Sequence, residues 1–155
     1  MDYYANLPSL RETIARAARA ERPDGKRHDH QTRIRRRALQ RVERILEAAS
    51  LRLCTDFEYL HGFLSRTIGT IPGIGELMVY DTALRIGAQL GFEPTAVYLH
   101  RGTRIGAAGL GLDTARPFIE LHELPAELRS LRPQEIEDCV CIYKDELRSI
   151  TALQS

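Results

Sequence analysis

The stretch Ile71-Pro72-Gly73-Ile74-Gly75 lies between two segments whose apolar residues recur at helical spacing. The preceding segment opens with Thr55-Asp56-Phe57-Glu58, a capping-box pattern with Thr at the cap and Glu three residues later. We expect Gly69 to end that helix. The following segment predicts a helix over residues 76–90, which Gly91 ends. The five residues therefore predict a tight turn between two helices.

A helix, a Pro-Gly-apolar-Gly turn and a second helix are typical of a helix-hairpin-helix element. Glycine permits positive φ and close approach of another backbone. The first N–H groups of the second helix point outward with the positive end of its dipole, which favours bound phosphate. We expect Gly73, Ile74, Gly75 and Glu76 to contact phosphate, although the Glu76 carboxylate would repel an anion. The alternative is a plain turn that only reverses the chain.

Helical periodicity predicts further helices on both sides of this element, and the fold class is a compact, all-α, multi-helix domain. We expect helices from Pro8 to the break at Pro23-Asp24-Gly25, over 29–49, and over 133–150 with Tyr143 facing inward. Arg85 is expected on a solvent-exposed stripe of the second hairpin helix. Between residues 102 and 111 a glycine-rich run predicts a weak short helix, and residues 118–124 predict one extended segment.

The length of 155 residues suits a single domain over 1–155, in which three parts differ in charge. Residues 1–54 hold thirteen Lys or Arg against seven Asp or Glu. Residues 55–112, with the hairpin and the glycine-rich turn, hold four against five, and residues 113–155 hold five against nine. The basic part predicts either a surface that faces a polyanion or intramolecular pairing with the acidic part.

A stripe of arginines follows the helix predicted over 29–49. Its members could track the phosphates of a nucleic acid, or they could form an ordinary solvated helix face. Two further arginines near the glycine-rich turn are expected to add electrostatic attraction. The six residues are Arg33, Arg37, Arg41, Arg44, Arg101 and Arg104.

The hairpin and the segment Val97-Tyr98-Leu99-His100, followed by Leu110-Gly111, resemble the helix-hairpin-helix DNA glycosylase superfamily. In that family the hairpin leads through a helix to a Val-Asp-x-His segment and then to Leu-Gly. The resemblance covers about the middle third of the chain. It implies a helical fold and contact with DNA through the hairpin.

The same resemblance argues against the chemistry of that family. Its catalytic Asp falls on Tyr98, and the Lys of its lyase-type members falls on Leu77. The three cysteines cannot supply a four-Cys iron–sulfur pattern. The resemblance therefore implies a DNA-binding relative without glycosylase activity.

No metal, cofactor or catalytic residue is predicted. His28-Asp29-His30 has no further His or Cys nearby in sequence, and His100 is interpreted as a structural hydrogen-bonding residue. Cys139 and Cys141 have acidic neighbours, which disfavour a thiolate. The odd cysteine count, without a signal-like N-terminus or a membrane-length apolar run, predicts a reduced, cytoplasmic protein.

The sequence thus predicts non-sequence-specific binding of duplex or branched DNA through backbone phosphates. The first alternative is a protein-docking subunit of a larger assembly, which the acidic last part and Glu76 favour. The second is an enzyme acting on nucleic acid with Asp81, Tyr98 or His100. The oligomeric state stays open.

Overall fold

The computed structural model describes residues 1–152, and the side chains of residues 1–149. These residues are mostly helical with one two-stranded sheet, so the all-α prediction is confirmed. The chain divides into two compact units, Met1–Glu93 and Pro94–Ser155. The expectation of a single domain stays a prediction. Among the described residues, every helix is too short or too polar to cross a membrane.

Five α-helices lie within residues 1–93: α1 (Asp2–Ala5), α2 (Leu10–Ala18), α3 (Arg36–Ala48), α4 (Phe57–Thr67) and α5 (Glu76–Leu90). Helix α5 contacts α1, α2 and α4, and α2 also contacts α3. The first unit is therefore assembled around α2 and α5. Its core contains the buried apolar side chains of Leu10, Ile14, Val42, Leu46, Leu60, Leu64, Ile68, Val79 and Ile86.

Helix α3 begins later than the sequence predicts. A 3-10 turn over Asp29–Gln31 precedes it, and the helix starts at Arg36 rather than near residue 29. The side chain of Gln31 is 1% exposed and hydrogen-bonds to Asp81 and Arg85 of α5. These contacts turn the chain inward at residues where helical periodicity alone predicts that α3 has already begun.

Helix α4 is capped by Asp56 rather than by the predicted Thr55. The Asp56 carboxylate accepts a hydrogen bond from the Tyr59 N–H at 2.7 Å and another from the Thr55 hydroxyl at 2.8 Å. These hydrogen bonds lower the pKa of the Asp56 carboxyl. Helix α5 has the predicted bounds, and Gly91 ends it in the left-handed conformation with φ of 76°.

The prediction of an exposed Arg85 is wrong. Its side chain is buried, and its guanidinium donates to Gln31 Oε1 at 3.1 Å and to Asp81 Oδ2 at 3.3 Å. The guanidinium also lies 5.9 Å from the centre of the Tyr4 ring. A buried cation needs such partners, so this face of α5 belongs to the core.

The second unit contains α6 (Arg101–Gly109), α7 (Pro133–Ile142) and α8 (Lys144–Ala152). Strand β1 (Val97–Tyr98) pairs antiparallel with β2 (Phe118–Ile119). The extended segment predicted over residues 118–124 is confirmed only at Phe118–Ile119, because Leu121–Glu123 form a 3-10 turn. The core of this unit consists of Val97, Leu99, Ala107, Ile119, Leu124, Ile136 and Val140.

The helix predicted over 133–150 is two helices. Tyr143 ends α7, and α8 begins at the next residue. Tyr143 is 56% exposed, so the prediction that it faces inward is wrong. Because the chain changes direction at this break, α7 and α8 can both contact α6.

Glycines of α6 allow this close contact. A Cβ atom at Gly106 would lie 2.1 Å from the Val140 carbonyl oxygen of α7. A Cβ at Gly109 would lie 2.7 Å from the Leu147 carbonyl carbon of α8. The glycine-rich run is thus a helix that its neighbours approach at backbone distance.

Candidate functional site

The turn between α4 and α5 is held by its own apolar residues. Ile71 and Ile74 are buried, and their N–H groups donate to the carbonyls of Ile68 at 3.0 Å and Ile71 at 2.9 Å. Pro72 and Gly73 are exposed, and Gly73 has φ of 91°. The apolar residues anchor the turn and leave the glycine backbone at the surface.

The start of α5 presents backbone donors on this surface. Gly75 is the N-cap residue and has no side chain to cap the helix. The N–H groups of Gly73 and Gly75 donate to no other residue of the first unit, residues 1–93. Such N–H groups at a helix N-terminus can bind an oxyanion.

Glu76 and His61 set the electrostatics beneath the turn. Glu76 is exposed in the first turn of α5. The His61 imidazole stacks on Phe57 with ring centres 6.3 Å apart, and burial lowers its pKa to about 4 although Glu76 opposes the shift. His61 is therefore neutral near pH 7 and adds no positive charge at the turn.

Three of the predicted arginines form one exposed face of α3. Arg37, Arg41 and Arg44 follow one another at i, i+4 and i+7, opposite the buried Val42 and Leu46. None of the three makes an ion pair or a side-chain hydrogen bond within residues 1–93. We call these three residues the arginine face.

Arg33 precedes α3 and is not on the helix, which corrects its predicted place in the stripe. It is exposed, and within the first unit its side chain has no partner either. The neighbouring Gln31 is bonded to Asp81, which lies five residues, or about 7.5 Å, from the start of α5. The segment that leads into α3 is thereby fastened near the end of α5 that carries the turn.

A groove beside α3 was not predicted. It has a volume of about 530 Å³ and lies between the loop over residues 21–27 and α3. Arg19 and Glu43 form an ion pair within it, and the exposed Arg36 and half-buried Arg27 also line it. The guanidinium of Arg27 donates to the Ile34 carbonyl at 2.8 Å, so it stabilises the loop.

The two arginines of the second unit have different surroundings. Arg101 is exposed at the start of α6. Arg104 is half-buried, and its guanidinium donates to the carbonyl oxygens of Thr114 and Arg116. Arg104 therefore holds the loop after α6, whereas the Arg101 guanidinium lies at the surface.

The second unit contains a buried polar cluster that the sequence did not predict. His100 caps α6, and its Nε2 lies 2.5 Å from Oε1 of Glu137 on α7. The side chains of His100 and Glu137 are almost completely buried. Thr103 Oγ1 lies 3.5 Å from the same Glu137 oxygen. Glu137 of α7 therefore binds the imidazole at the start of α6.

Cys141 completes this cluster. It lies one turn after Glu137 on α7, and one ligand atom of each of His100, Glu137 and Cys141 lies within 4.8 Å of the others. The i, i+4 spacing of Glu137 and Cys141 was the available signal. The position of His100 depends on the packing of α6 against α7, which the sequence does not reveal.

The cap fixes the tautomer of His100. Nδ1 accepts the Gly102 N–H at 3.3 Å, so the imidazole proton is on Nε2 and is donated to Glu137. In this state both ring nitrogens are engaged, and neither can act as a general base. The cluster as it stands is a hydrogen-bonded set that joins α6 to α7.

Tyr98 and Leu77 stand where the glycosylases have their catalytic Asp and Lys, and both side chains pack against the rest of their own unit. Tyr98 is buried in β1 with its ring 5.6 Å from that of Phe118. Leu77 is half-buried in the first turn of α5. The chain matches no known protein-family model, no curated protein and no solved structure. The likeness to the glycosylases thus rests on the quoted residues alone.

Proposed function

We propose that the first unit binds nucleic acid, most simply duplex or branched DNA, through backbone phosphates and without reading the base sequence. The observation that carries this proposal is the arginine face, together with Arg33. Its guanidinium groups are exposed and have no acidic partner within residues 1–93. A solvated helix face that served only solubility would more often pair its charges with nearby carboxylates.

The spacing of the arginine face suits a phosphate backbone. Arg37 and Arg44 are seven residues apart, which corresponds to about 10 Å along the helix. A DNA strand presents one phosphate about every 3.4 Å of its axis, so the face spans about three phosphates. The exposed N–H groups of Gly73 and Gly75 offer a second, uncharged contact.

This proposal includes neither glycosylase chemistry nor a cofactor. Arg101 would contribute diffuse attraction, and Arg104 less, because its guanidinium already binds two carbonyl oxygens. Within the part of the chain that the structure describes, Cys54, Cys139 and Cys141 form no disulfide, which fits a reducing compartment such as the cytoplasm.

Fluorescence anisotropy of a labelled duplex, a single strand and a four-way junction tests the proposal. We expect the Arg37→Glu/Arg41→Glu variant to bind more weakly and to lower the salt slope of log K by about 1.8, about 0.9 for each lost phosphate contact. The matched control is Arg11→Glu/Arg52→Glu, which changes the net charge equally at exposed arginines outside the arginine face.

The hairpin is tested by Gly75→Asp. Asp is a favoured N-cap residue, so α5 stays folded while the added carboxylate repels phosphate.

Equal weakening of binding by the two double arginine variants would mean that only net charge matters. If the wild type binds none of the three probes at low salt, the proposal is wrong, and the protein-docking alternative gains support.

A further inference from the structure

We propose that His100, Glu137 and Cys141 form a binding site for a borderline divalent transition metal such as Zn²⁺. This inference concerns the second unit alone and does not depend on nucleic-acid binding. The three side chains provide an imidazole nitrogen, a carboxylate oxygen and a thiol sulfur, which are the ligand types that Zn²⁺ takes in proteins. Three protein ligands would leave a fourth position for water or for another ligand.

The geometry of the cluster is close to what a metal requires. Zinc binds nitrogen and oxygen at about 2.1 Å and sulfur at about 2.3 Å, so tetrahedral ligand atoms lie about 3.4 to 3.6 Å apart. Here the three ligand atoms lie within 4.8 Å of one another, and the closest described pair, His100 Nε2 and Glu137 Oε1, is at 2.5 Å. Changes of about 1 Å in the separations of these ligand atoms, made by side-chain rotation, would bring all three to metal-binding distances.

The backbone around the cluster leaves room for the sulfur. A Cβ atom at Gly102 would lie 2.6 Å from Cys141 Sγ and 3.3 Å from His100 Cε1. Any larger residue at this position would push the thiol away from the imidazole. Thr103 is completely buried and its hydroxyl faces the Glu137 carboxylate, where it can orient a metal-binding carboxylate.

Metal binding requires two proton movements. The Cys141 thiol loses its proton to solvent, because the thiolate is the ligand. The imidazole proton moves from Nε2 to Nδ1, so Nε2 gains a free lone pair and the cap from Gly102 is lost. One capping hydrogen bond is weak compared with the binding of a divalent cation by three protein ligands. With one neutral and two anionic ligands the site would carry no net charge.

The alternative is that His100 and Glu137 only fasten α6 to α7, and the position of Cys141 is incidental. Titration of the full-length, reduced protein with Co²⁺ separates the two. We expect visible bands of tetrahedral cobalt and a sulfur-to-cobalt charge-transfer band in the near ultraviolet, and we expect Zn²⁺ to abolish both.

The decisive variant is Cys141→Ser, with Cys139→Ser as its matched control on the same helix. We expect Cys141→Ser to abolish the charge-transfer band and to lower the affinity for Zn²⁺ at least about tenfold. Cys139→Ser should change neither the band nor the affinity. Glu137→Gln should weaken binding as well. Circular dichroism checks that each variant is folded.

A second readout does not depend on the cobalt spectrum. Zn²⁺ should raise the thermal unfolding midpoint of the wild type and of Cys139→Ser, but not that of Cys141→Ser. A wild type without a charge-transfer band, or a band that survives in Cys141→Ser, would overturn the proposal. Loss of the band in Cys139→Ser would also overturn it, because another sulfur would then be the ligand.

Discussion

The turn at residues 71–75 and the helix α6 both depend on glycine, but for different physical reasons. At Gly73 a side chain would meet no atom within 4 Å, and the requirement is the backbone conformation, with φ of 91°. At Gly106 the requirement is space, because the neighbouring helix backbone lies where a Cβ would be. A glycine-rich pattern therefore indicates two structures, a turn or a helix–helix contact, and the neighbours of the glycine decide between them.

The largest expected effect comes from Gly106→Ala. In an exposed helix this change would stabilise the protein by about 1 kcal/mol, because Ala is the better helix former. Here we expect a loss of about 2 kcal/mol in the free energy of unfolding, because the added methyl forces α6 and α7 apart. Urea unfolding followed by circular dichroism measures it, with Ala108→Ser on the exposed side of α6 as the control. A stabilised Gly106→Ala variant would disprove the close contact.

A smaller effect is expected at the turn, where the same substitution should act in opposite directions. Gly73→Ser should lower the free energy of unfolding by about 1 kcal/mol, because a side chain disfavours positive φ. Gly75→Ser should raise it by about 0.3 kcal/mol, because Gly75 is an extended N-cap with φ of −96° and Ser can cap α5. The two thermal midpoints, measured side by side, give the comparison. Equal destabilisation would mean that the turn tolerates no side chain at either place.

The smallest effect concerns pH and the first unit. His61 has a pKa of about 4 in the folded protein and about 6.5 in the unfolded chain. Between these values the unfolded state binds more protons, so stability falls as the pH falls through this range. We expect a loss below about 1 kcal/mol, because local opening lets a partly buried imidazole reach water.

Thermal unfolding at about pH 7 and about pH 4.5 checks the pH prediction. The His61→Phe variant should lose less stability on acidification, since Phe fits among the aromatic rings and takes up no proton. The exposed His30→Gln is the matched control. Unchanged acid sensitivity in His61→Phe would leave the burial of His28, whose pKa burial also lowers to about 4, as the main cause.

The sequence predicted those helix bounds and helix faces that depend on the local pattern of residues. The bounds of α5, its end at Gly91 and the buried face of α4 follow from helical spacing and stop signals, which act within a few residues. The arginine face followed from the same periodicity. For these features, a residue's neighbours in the chain are also those that determine its structure.

The errors lie where distant residues decide. The start of α3 depends on Gln31 reaching Asp81, fifty residues away, and Arg85 is buried by the same contact. The cluster of His100 with Glu137 joins residues thirty-seven apart. A single sequence contains no direct record of such contacts. Polar residues were therefore assigned to the surface, where most of them lie.

The two carbonyl contacts of Arg104 have a consequence for evolutionary drift. Both hydrogen bonds come from one guanidinium nitrogen, Nη1, at the end of the arginine side chain. A lysine at this position would keep the charge, but its shorter side chain would have to bring the ammonium nitrogen to the same place to reach both carbonyls. At Arg41 the exchange would cost little, because this exposed guanidinium makes no hydrogen bond or ion pair within residues 1–93. Among descendants of this chain, arginine should persist at position 104 while positions 37, 41 and 44 interchange freely between arginine and lysine.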